Sequence, residues 1–382
     1  HPDIPGPVLQ GRFQTRSRTR PDTPAAGVWR FQEIVLPTAG DAVVSHPEGN
    51  TPLIFREAIA AFAGAPDLFL KHEGHNPTGS FKDRGMTVAV TQARRIGASG
   101  VICASTGNTS ASLAAYAAQA GLPAFVLIPK GKVALGKLAQ TIGYGARILA
   151  VQGDFDTCLR LVEEASQSLR HYLVNGINPF RLEGQKTIVL EMLQQLDWVA
   201  PDWIVLPGGN LGNTAAFGKA IEEACDWGLI DRVPRLAVVQ AEGAAPFALG
   251  FADEFRTRRT VEAETVATAI RIGNPASWDR AVRSIRFTSG VVVTASDAEI
   301  LEAKAVIDRT GVGCEPASAA TVAGIKRLAA SWLIEPGARV VAVLTGHMLK
   351  DPEVLVSGGQ LKKAIKEIDP TLTAIAKAVK KS

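Results

Sequence analysis

A single lysine in a loop of small and polar residues is the strongest candidate for chemistry in this chain. The stretch NPTGSFKDRG, Asn76 to Gly85, separates a short apolar run from a mildly amphipathic segment. Lys82 is expected to begin a helix, where the positive end of the helix dipole disfavours an ammonium group and favours a neutral, nucleophilic amine. The alternative is an ordinary lysine whose charge is solvated at the surface.

A glycine-rich turn provides a candidate anion site. LPGGNLGN, Leu206 to Asn213, lies where an apolar run leads into a helical segment. Without Cβ atoms at Gly208, Gly209 and Gly212, several backbone N–H groups could face one phosphate, and the helix dipole would add favourable charge. The turn lacks the Lys-Ser/Thr of a Walker loop and the spacing of a dinucleotide motif. A tight structural turn is the alternative.

A third loop, STGNTSAS, places Ser105, Asn108, Thr109 and Ser110 at the start of an Ala-rich helical segment. Ordinary helix capping would explain one such side chain. Four polar side chains exceed the need of one cap, so the surplus predicts binding of a carboxylate or phenolate oxygen of a ligand.

The stretch KHEGHNP suggests a metal site, because His72, Glu73 and His75 are common ligand types. Its spacing differs from the H-E-x-x-H motif of zinc enzymes. Three groups that alternate at a strand end also cannot face one ion, so the sequence favours no metal here.

The elements that position these loops follow a regular alternation. Apolar, β-branched runs are separated by longer helix-like segments such as Ser110–Ala120 and Phe155–Arg170. This pattern predicts an α/β fold of parallel sheets covered by helices on both faces, with ligands beyond the carboxyl ends of the strands. The predicted strands are Leu68–Lys71, Val101–Ala104, Phe125–Ile128, Ile148–Val151, Trp203–Leu206, Leu236–Val239, Val291–Thr294 and Val340–Leu344.

Length and composition limit the classes of protein that fit. At 382 residues, with 46% hydrophobic and 20% charged residues, the chain is expected to form two globular domains. A net charge of +4 predicts neither a nucleic-acid nor a membrane partner, and no run is long enough for a membrane span. The four cysteines are far apart without a C-x-x-C pair, which predicts a reducing, cytoplasmic compartment.

Together these loops resemble the β family (fold type II) of pyridoxal-phosphate enzymes and, within it, the threonine synthases. The resemblance covers about Glu48 to Gly358. It implies two open parallel-sheet α/β domains of the tryptophan synthase β-like architecture, with the active site in the cleft between them. The stretches that carry it, in the order of the family, are NPTGSFKDRGMT from Asn76, KVALGKLAQ from Lys132, NPFRLEGQKT from Asn178 and LTGHMLKDP from Leu344.

The resemblance implies pyridoxal 5′-phosphate as the cofactor. Lys82 would bind it covalently and shuttle protons, Asn108 would bond its 3′-oxygen, and the hydroxyl of Thr345 would face its pyridine nitrogen. A neutral hydroxyl cannot hold a proton on that nitrogen as a carboxylate would, so the ring is expected to be a weaker electron sink. The residues implied to hold the cofactor phosphate are Gly208, Gly209, Asn210, Leu211 and Gly212.

The substrate implied by the resemblance is O-phospho-L-homoserine. Its phosphate would be bound by Arg181, whose planar guanidinium can donate to two phosphate oxygens, and by the compact ammonium group of Lys137. Gly176 stands where family members carry serine, so one hydroxyl contact is lost and weaker substrate binding is expected. The residues implied to bind the substrate are Ser105, Thr106 and Thr109 near the carboxylate and Thr109, Lys137, Asn175 and Arg181 near the phosphate.

The implied activity is that of a lyase. Lys82 would remove the α-proton, phosphate would leave from Cγ, and water would add at Cβ to give L-threonine, with the departing phosphate as a base for that water. The main alternative is a serine/threonine dehydratase acting by β-elimination, which needs no second phosphate site and typically presents Ser or Cys to the pyridine nitrogen. A cysteine-synthase-like transferase is a further alternative. A catalytically silent homologue would have a damaged Lys82, glycine turn or Thr345, and all three are intact.

The predicted domain organisation follows from the loops. Residues 1–65 would form an N-terminal arm, extended over about residues 1–50, and part of the large domain. Residues 66–183 would form a smaller, mobile α/β domain, and residues 184–382 the large cofactor-binding domain. Closure of the cleft would expel water before proton abstraction. The resemblance also implies a homodimer.

Overall fold

The computed structural model describes residues 4–17, 26–131, 135–354, 365 and 367–379. The strands are β1 Leu53–Phe55, β2 Asp67–His72, β3 Gly100–Ala104, β4 Ala124–Pro129, β5 Arg147–Val151, β6 His171–Leu173, β7 Trp203–Pro207, β8 Arg235–Ala241, β9 Val291–Ala295 and β10 Arg339–Leu344. The helices are α1 Gly6–Ser17, α2 Gln32–Val35, α3 Glu57–Ala63, α4 Lys82–Arg95, α5 Asn108–Ala120, α6 Leu135–Gly143, α7 Phe155–Ser168, α8 Pro179–Gln185, α9 Thr187–Gln195, α10 Gly212–Asp226, α11 Pro246–Ala252, α12 Trp278–Phe287, α13 Asp297–Arg309, α14 Pro316–Ala330 and α15 Leu372–Val379.

The chain divides into two compact units. Residues 1–350 form the first, which contains both sheets, and residues 351–382 form the second, which contains α15. None of the described helices is both long and apolar enough to cross a bilayer.

The first unit contains a six-stranded and a four-stranded sheet. The strand order is β1-β2-β10-β7-β8-β9 in the larger sheet and β5-β4-β3-β6 in the smaller. All eight predicted strands are confirmed, because each apolar run lies within one of them. The larger sheet is not purely parallel as predicted, since β1 pairs antiparallel to β2 at its edge. Both β1 and β6 have only three residues, too few for a periodic pattern to reveal them.

The location of β2 bears on the predicted domain boundary. The sequence placed residues 66–183 together, but β2 pairs with β10 in register from Asp67 to His72 and so belongs to the larger sheet. The smaller sheet is built from β3 to β6, all between residues 100 and 173. Movement of the smaller domain stays a prediction.

Helices cover both faces of the larger sheet, which explains its continuously apolar strands. Alternate residues of β7 point to opposite faces, as strand geometry requires. Ile204 and Leu206 lie in one buried core with α10 residues such as Phe217. Trp203 and Val205 lie in the other core with α14 residues such as Ile325.

The N-terminal segment is helical where an extended arm was expected. The prolines near the start suggested extension, but α1 places Leu9 and Phe13 four residues apart on one face, and both are fully buried. The ring of Phe13 lies 4.9 Å from the ring of Phe31. Proline is tolerated in the first turn of a helix, so Pro7 does not prevent α1 from forming.

Two glycines provide a matched test of helix packing. We expect Gly184→Ala to lower the free energy of unfolding by about 3 kcal/mol, because its Cβ would lie 1.8 Å from the backbone oxygen of Arg84 on α4. Gly11→Ala, in α1, has open space and should raise it by about 0.5–1 kcal/mol. Urea unfolding of both variants measures the difference. Shifts of the same sign would contradict this account of the α4–α8 contact.

Candidate active site

Lys82 is the first residue of α4, and contacts on both sides fix the backbone there. The N–H of Phe81 donates a hydrogen bond of 3.0 Å to the carbonyl of Thr345, which directly follows β10. The buried carboxylate of Asp83 accepts hydrogen bonds from the N–H and the hydroxyl of Thr78, at 2.7 and 2.6 Å. The predicted helix start is therefore confirmed, and its loop is held against the larger sheet.

The buried guanidinium of Arg84 anchors the same helical turn. Its Nε and Nη2 donate to the two carboxylate oxygens of Glu73 at 2.6 and 2.8 Å, and its Nη2 and Nη1 donate to those of Glu191 at 2.7 and 3.2 Å. Burial alone would lower the pKa of Arg84, but Glu191 and Glu73 outweigh it and raise that pKa. Glu73, in the stretch that suggested a metal, thus pairs with an arginine.

The amine of Lys82 lies in an environment that favours its neutral form. Its pKa is lowered to about 7, chiefly by burial and next by the positive charge of Arg181, while Glu315 opposes the shift. Its Nζ lies 4.1 Å from the centroid of the Phe81 ring, and no described carboxylate forms a salt bridge with it. A neutral amine was expected from the helix dipole, and burial and Arg181 are causes that the sequence did not reveal.

The third loop does not act as an ordinary helix cap. Gly107 stands at the N-cap of α5, and no side chain caps this helix. Ser110 Oγ instead donates to the carbonyl of Gly107 at 2.8 Å, and Ser105 Oγ accepts from its N–H at 3.3 Å. Thr106 and Thr109 are half-buried beside it. The capping alternative is therefore wrong, because the described residues include no side chain that caps the first N–H groups of α5.

Glu315, which the sequence analysis missed, joins two predicted site residues. Its buried carboxylate accepts one hydrogen bond from Asn108 Nδ2 and one from Thr345 Oγ1, each at 3.1 Å. Burial raises the pKa of Glu315, against the hydrogen bonds from Asn108 and Thr345. Thr345 is also 3.0 Å from Ser318 Oγ. The hydroxyl expected to face the ring nitrogen is thus bonded to a carboxylate, a connection that the neutral-hydroxyl argument lacked.

The signal for Glu315 was the stretch CEPASAA, in which an acid precedes a proline at the start of an apolar helix. Proline at the first helical position places the acid at the N-cap of α14. A carboxylate that does not cap its own helix is available for contacts with other elements.

The glycine-rich turn packs tightly between β7 and α10. A Cβ on Gly208 would lie 2.5 Å from the side chain of Val238 on β8, so the turn reaches this position only with glycine. Leu211 adopts a left-handed conformation, with φ of 62°, immediately before α10. The amide oxygen of Asn210 accepts from the N–H of Ala276 at 2.7 Å. Leu211 is the N-cap of α10, and no side-chain capping hydrogen bond is formed there among the described residues.

Several buried polar atoms beside this turn lack a hydrogen-bond partner among the described residues. Asn213 Oδ1, Thr214 Oγ1 and Gln185 Oε1 are buried without a hydrogen-bond partner among the described residues. Such atoms are rare in folded proteins and mark places where a ligand or water belongs. The Thr214 hydroxyl and the uncapped N–H groups of α10 are donors of the kind that bind phosphate at helix N-termini. Thr214 and these N–H groups therefore fit the phosphate of the predicted cofactor, whereas the amide oxygens of Asn213 and Gln185 only accept hydrogen bonds and would need a donor.

Two side chains bring the glycine turn to the other loops. Gln185 lies between α4 and α10, 3.1 Å from the position of a Cβ on Gly85 and 3.5 Å from that of a Cβ on Gly212. Asn210 Nδ2 lies 3.1 Å from the position of a Cβ on Gly176, in the loop after β6. The structure thus connects the turn with the helix of Lys82 and with the loop predicted to bind substrate.

The predicted substrate residues differ in their surroundings. Arg181 is buried, its Nη1 donates to the carbonyl of Val174 at 3.1 Å, and its Nε has no partner among the described residues. The side-chain amide of Asn175 bonds both the N–H and the carbonyl of Ala104, at 3.0 and 3.1 Å, so it holds the end of β3. Lys137 lies in α6, but its side chain and residues 132–134 are outside the described part of the chain.

Comparisons with known proteins identify the family of this chain. A family model described as pyridoxal-phosphate dependent enzyme matches residues 44–346. Threonine synthases are 44% identical in Methanocaldococcus jannaschii, over 90% of this chain and 88% of that protein, and 50% identical in Synechocystis, over 88% and 86%. The threonine synthase of Mycobacterium tuberculosis is 48% identical over 83% of this chain and 87% of its own.

Solved structures show the same fold at lower identity. Maize serine racemase superposes with a TM-score of 0.71 at 22% identity, covering 88% of this chain and 97% of its own. Threonine deaminase isoform 2 of Solanum lycopersicum gives 0.71 at 19% identity, covering 87% and 93%. The family model, the curated relatives and the arrangement of the loops agree: this chain belongs to the threonine synthase family of pyridoxal-phosphate-dependent enzymes.

Proposed function

We propose that this chain converts O-phospho-L-homoserine and water into L-threonine and phosphate. The observation that carries the proposal is the guanidinium of Arg181, which is buried, has no acidic partner among the described residues and is close enough to lower the pKa of Lys82. A buried cation without an anion is costly, and a phosphate of the substrate would offset that cost. Arg181 has the planar geometry to bind it at two oxygens.

Pyridoxal 5′-phosphate, when bound, supplies an electron sink for the charge that develops at the α-carbon of the substrate. Lys82, Asn108, Thr345 and the turn from Gly208 to Gly212 would hold it. Thr214, whose buried hydroxyl lacks a partner, is a further donor for the cofactor phosphate. Glu315 would fix the orientations of Asn108 and Thr345 through the two hydrogen bonds that it accepts.

The residues of the chain divide the work of proton transfer and binding. Because the pKa of Lys82 is lowered to about 7, its amine can accept the α-proton and return a proton near neutral pH. The negative charge of Glu315 would stabilise the ammonium group that results. The uncapped start of α5, with Ser105, Thr106 and Thr109, would bind the carboxylate, while Arg181 and Lys137 would bind the phosphate. Asn175 would position the end of β3, through its bond to Ala104, in addition to contacting the substrate.

Three properties of the protein belong with this proposal. The four-stranded sheet and its helices, within the predicted range 66–183, would close on the larger sheet and expel water. The protein would be a homodimer, which light scattering of the purified protein would test. It would be cytoplasmic, which the unpaired state of Cys103, Cys158, Cys225 and Cys314 supports, because disulfides are scarce in reducing compartments.

Product analysis tests the proposed reaction directly. The purified holoenzyme is offered O-phosphohomoserine, homoserine, threonine and serine in separate assays. We expect threonine and one equivalent of phosphate from O-phosphohomoserine, and little reaction with the others. Release of ammonia and a 2-oxo acid from threonine or serine, with no threonine or phosphate formed from O-phosphohomoserine, would identify a dehydratase instead.

Arg181→Met should separate function from stability. The loss of a charged hydrogen-bonding group from the phosphate site should lower kcat/KM about 10- to 100-fold, equivalent to about 1.5–3 kcal/mol. Because Arg181 is a buried cation without an acidic partner, the melting temperature should stay the same or rise. Arg160→Met, on the exposed face of α7, is the control and should change neither property. Unaltered kcat/KM with O-phosphohomoserine in Arg181→Met would refute a phosphate site there.

Glu315→Gln should change the pH dependence of Lys82. The rate at which the apoenzyme captures the cofactor should rise with pH through about 7 in the natural protein, because the neutral amine is the reactive form. Glu315 raises the pKa of Lys82, so its replacement should move the midpoint to lower pH. Glu302→Gln, an exposed acid paired with Lys326, should leave the midpoint unchanged. An identical midpoint in Glu315→Gln would show that this carboxyl is uncharged.

A further inference from the structure

A second lysine, Lys350, lies close to the loop of Lys82. It ends the short 3-10 helix Met348–Lys350 after β10, and its Nζ donates to the carbonyl of Thr78 at 3.0 Å and to Gln140 Oε1 at 2.5 Å. Asp83 and Glu315 are its acidic neighbours. One ammonium group therefore bridges the loop before α4 and the helix α6.

The loop before α4 is shaped to admit this side chain. Gly79 has a positive φ of 84°, and a Cβ there would lie 3.2 Å from Cδ of Lys350. The carbonyl of Gly79 accepts from the N–H of His347 at 2.9 Å, and Ser80 forms an antiparallel bridge with Gly346. The two loops therefore meet as a short ladder, and Lys350 extends that ladder toward α6.

The other end of the bridge is the helix predicted to bind the substrate phosphate. Gln140 lies three residues after Lys137 in α6, within one helical turn. The next residue, Thr141, donates to Ser110 Oγ at the start of α5 over 3.2 Å. The orientation of α6 is thus tied at adjacent residues to Lys350 and to the loop predicted to bind the carboxylate.

We propose that Lys350 is a positioning residue that holds α6 in register with the loop of Lys82, so that the phosphate site and the catalytic amine are assembled together. The role in substrate binding rests on the proposed function. The mechanical coupling does not, because it depends only on the contacts with Thr78 and Gln140. An ammonium is suited to this bridge because it donates to both acceptors at once.

The test compares Lys350→Met, Lys350→Arg and Gln140→Leu with Lys326→Met, an exposed lysine on α14, as the control. In the holoenzyme, Lys350→Met should raise KM for O-phosphohomoserine about tenfold, because loss of one hydrogen bond from a charged group weakens binding by about that factor. The effect on kcat should be smaller. Hydrogen exchange of the amides of residues 138–143 should become faster, while exchange in α7 stays unchanged. Cofactor affinity should not change, and Lys350→Arg should restore most of the KM.

The double variant Lys350→Met with Gln140→Leu decides whether the two residues act as one contact. If they do, the double variant should exchange in α6 no faster than either single variant. Unchanged exchange in α6, or effects that add, would overturn the proposal even if KM changes. Should the protein make no threonine, the proposed function fails, but the exchange results still decide the role of Lys350. Gln140→Leu keeps the test valid if Lys350→Met does not fold.

Discussion

The guanidinium of Arg84 is the contact on which the geometry of this protein depends. It is fully buried and bonds the carboxylates of Glu73, after β2, and Glu191, on α9. Lys71 and Arg30 pair with Glu191 as well, at 2.6 and 2.7 Å, so the cluster joins a strand, two helices and the N-terminal segment. Removing one partner of such a cluster leaves an uncompensated buried charge, at a cost of about 3–5 kcal/mol. Because Arg84 lies two residues after Lys82, this cluster fixes where the lysine begins its helix.

Two buried arginines of this region have opposite surroundings. Arg84 has two carboxylates, whereas Arg181 has no acidic partner among the described residues and Lys82 has only the more distant charge of Glu315. Buried polar atoms of Gln185, Asn213 and Thr214 also lack hydrogen-bond partners among the described residues. Proteins tolerate such unfavourable groups mainly where a ligand completes them. Unpaired groups such as the guanidinium of Arg181, close to the paired charges of Arg84, are the physical mark of this site.

The sequence predicted what is encoded in contiguous residues. Strands buried on both faces appeared as apolar runs, and the three loops appeared because each is a short stretch of unusual composition. What it missed depends on distant pairs: Glu315 meets Asn108 from 207 residues away, and Gln185 and Lys350 act through contacts that no local pattern records. The lowered pKa of Lys82 was expected from the helix dipole alone, since burial and the charge of Arg181 are features of the folded chain. The three-residue strands and α1 were not predicted, because short or proline-containing segments show no clear periodicity of apolar residues.

The most direct measurement of the central claim is chemical trapping. The holoenzyme is reduced with borohydride, digested, and the peptides are mapped by mass spectrometry. The account predicts one phosphopyridoxyl group per chain, on the peptide that contains Lys82. A label on Lys350, a label spread over surface lysines, or no label at all would contradict it.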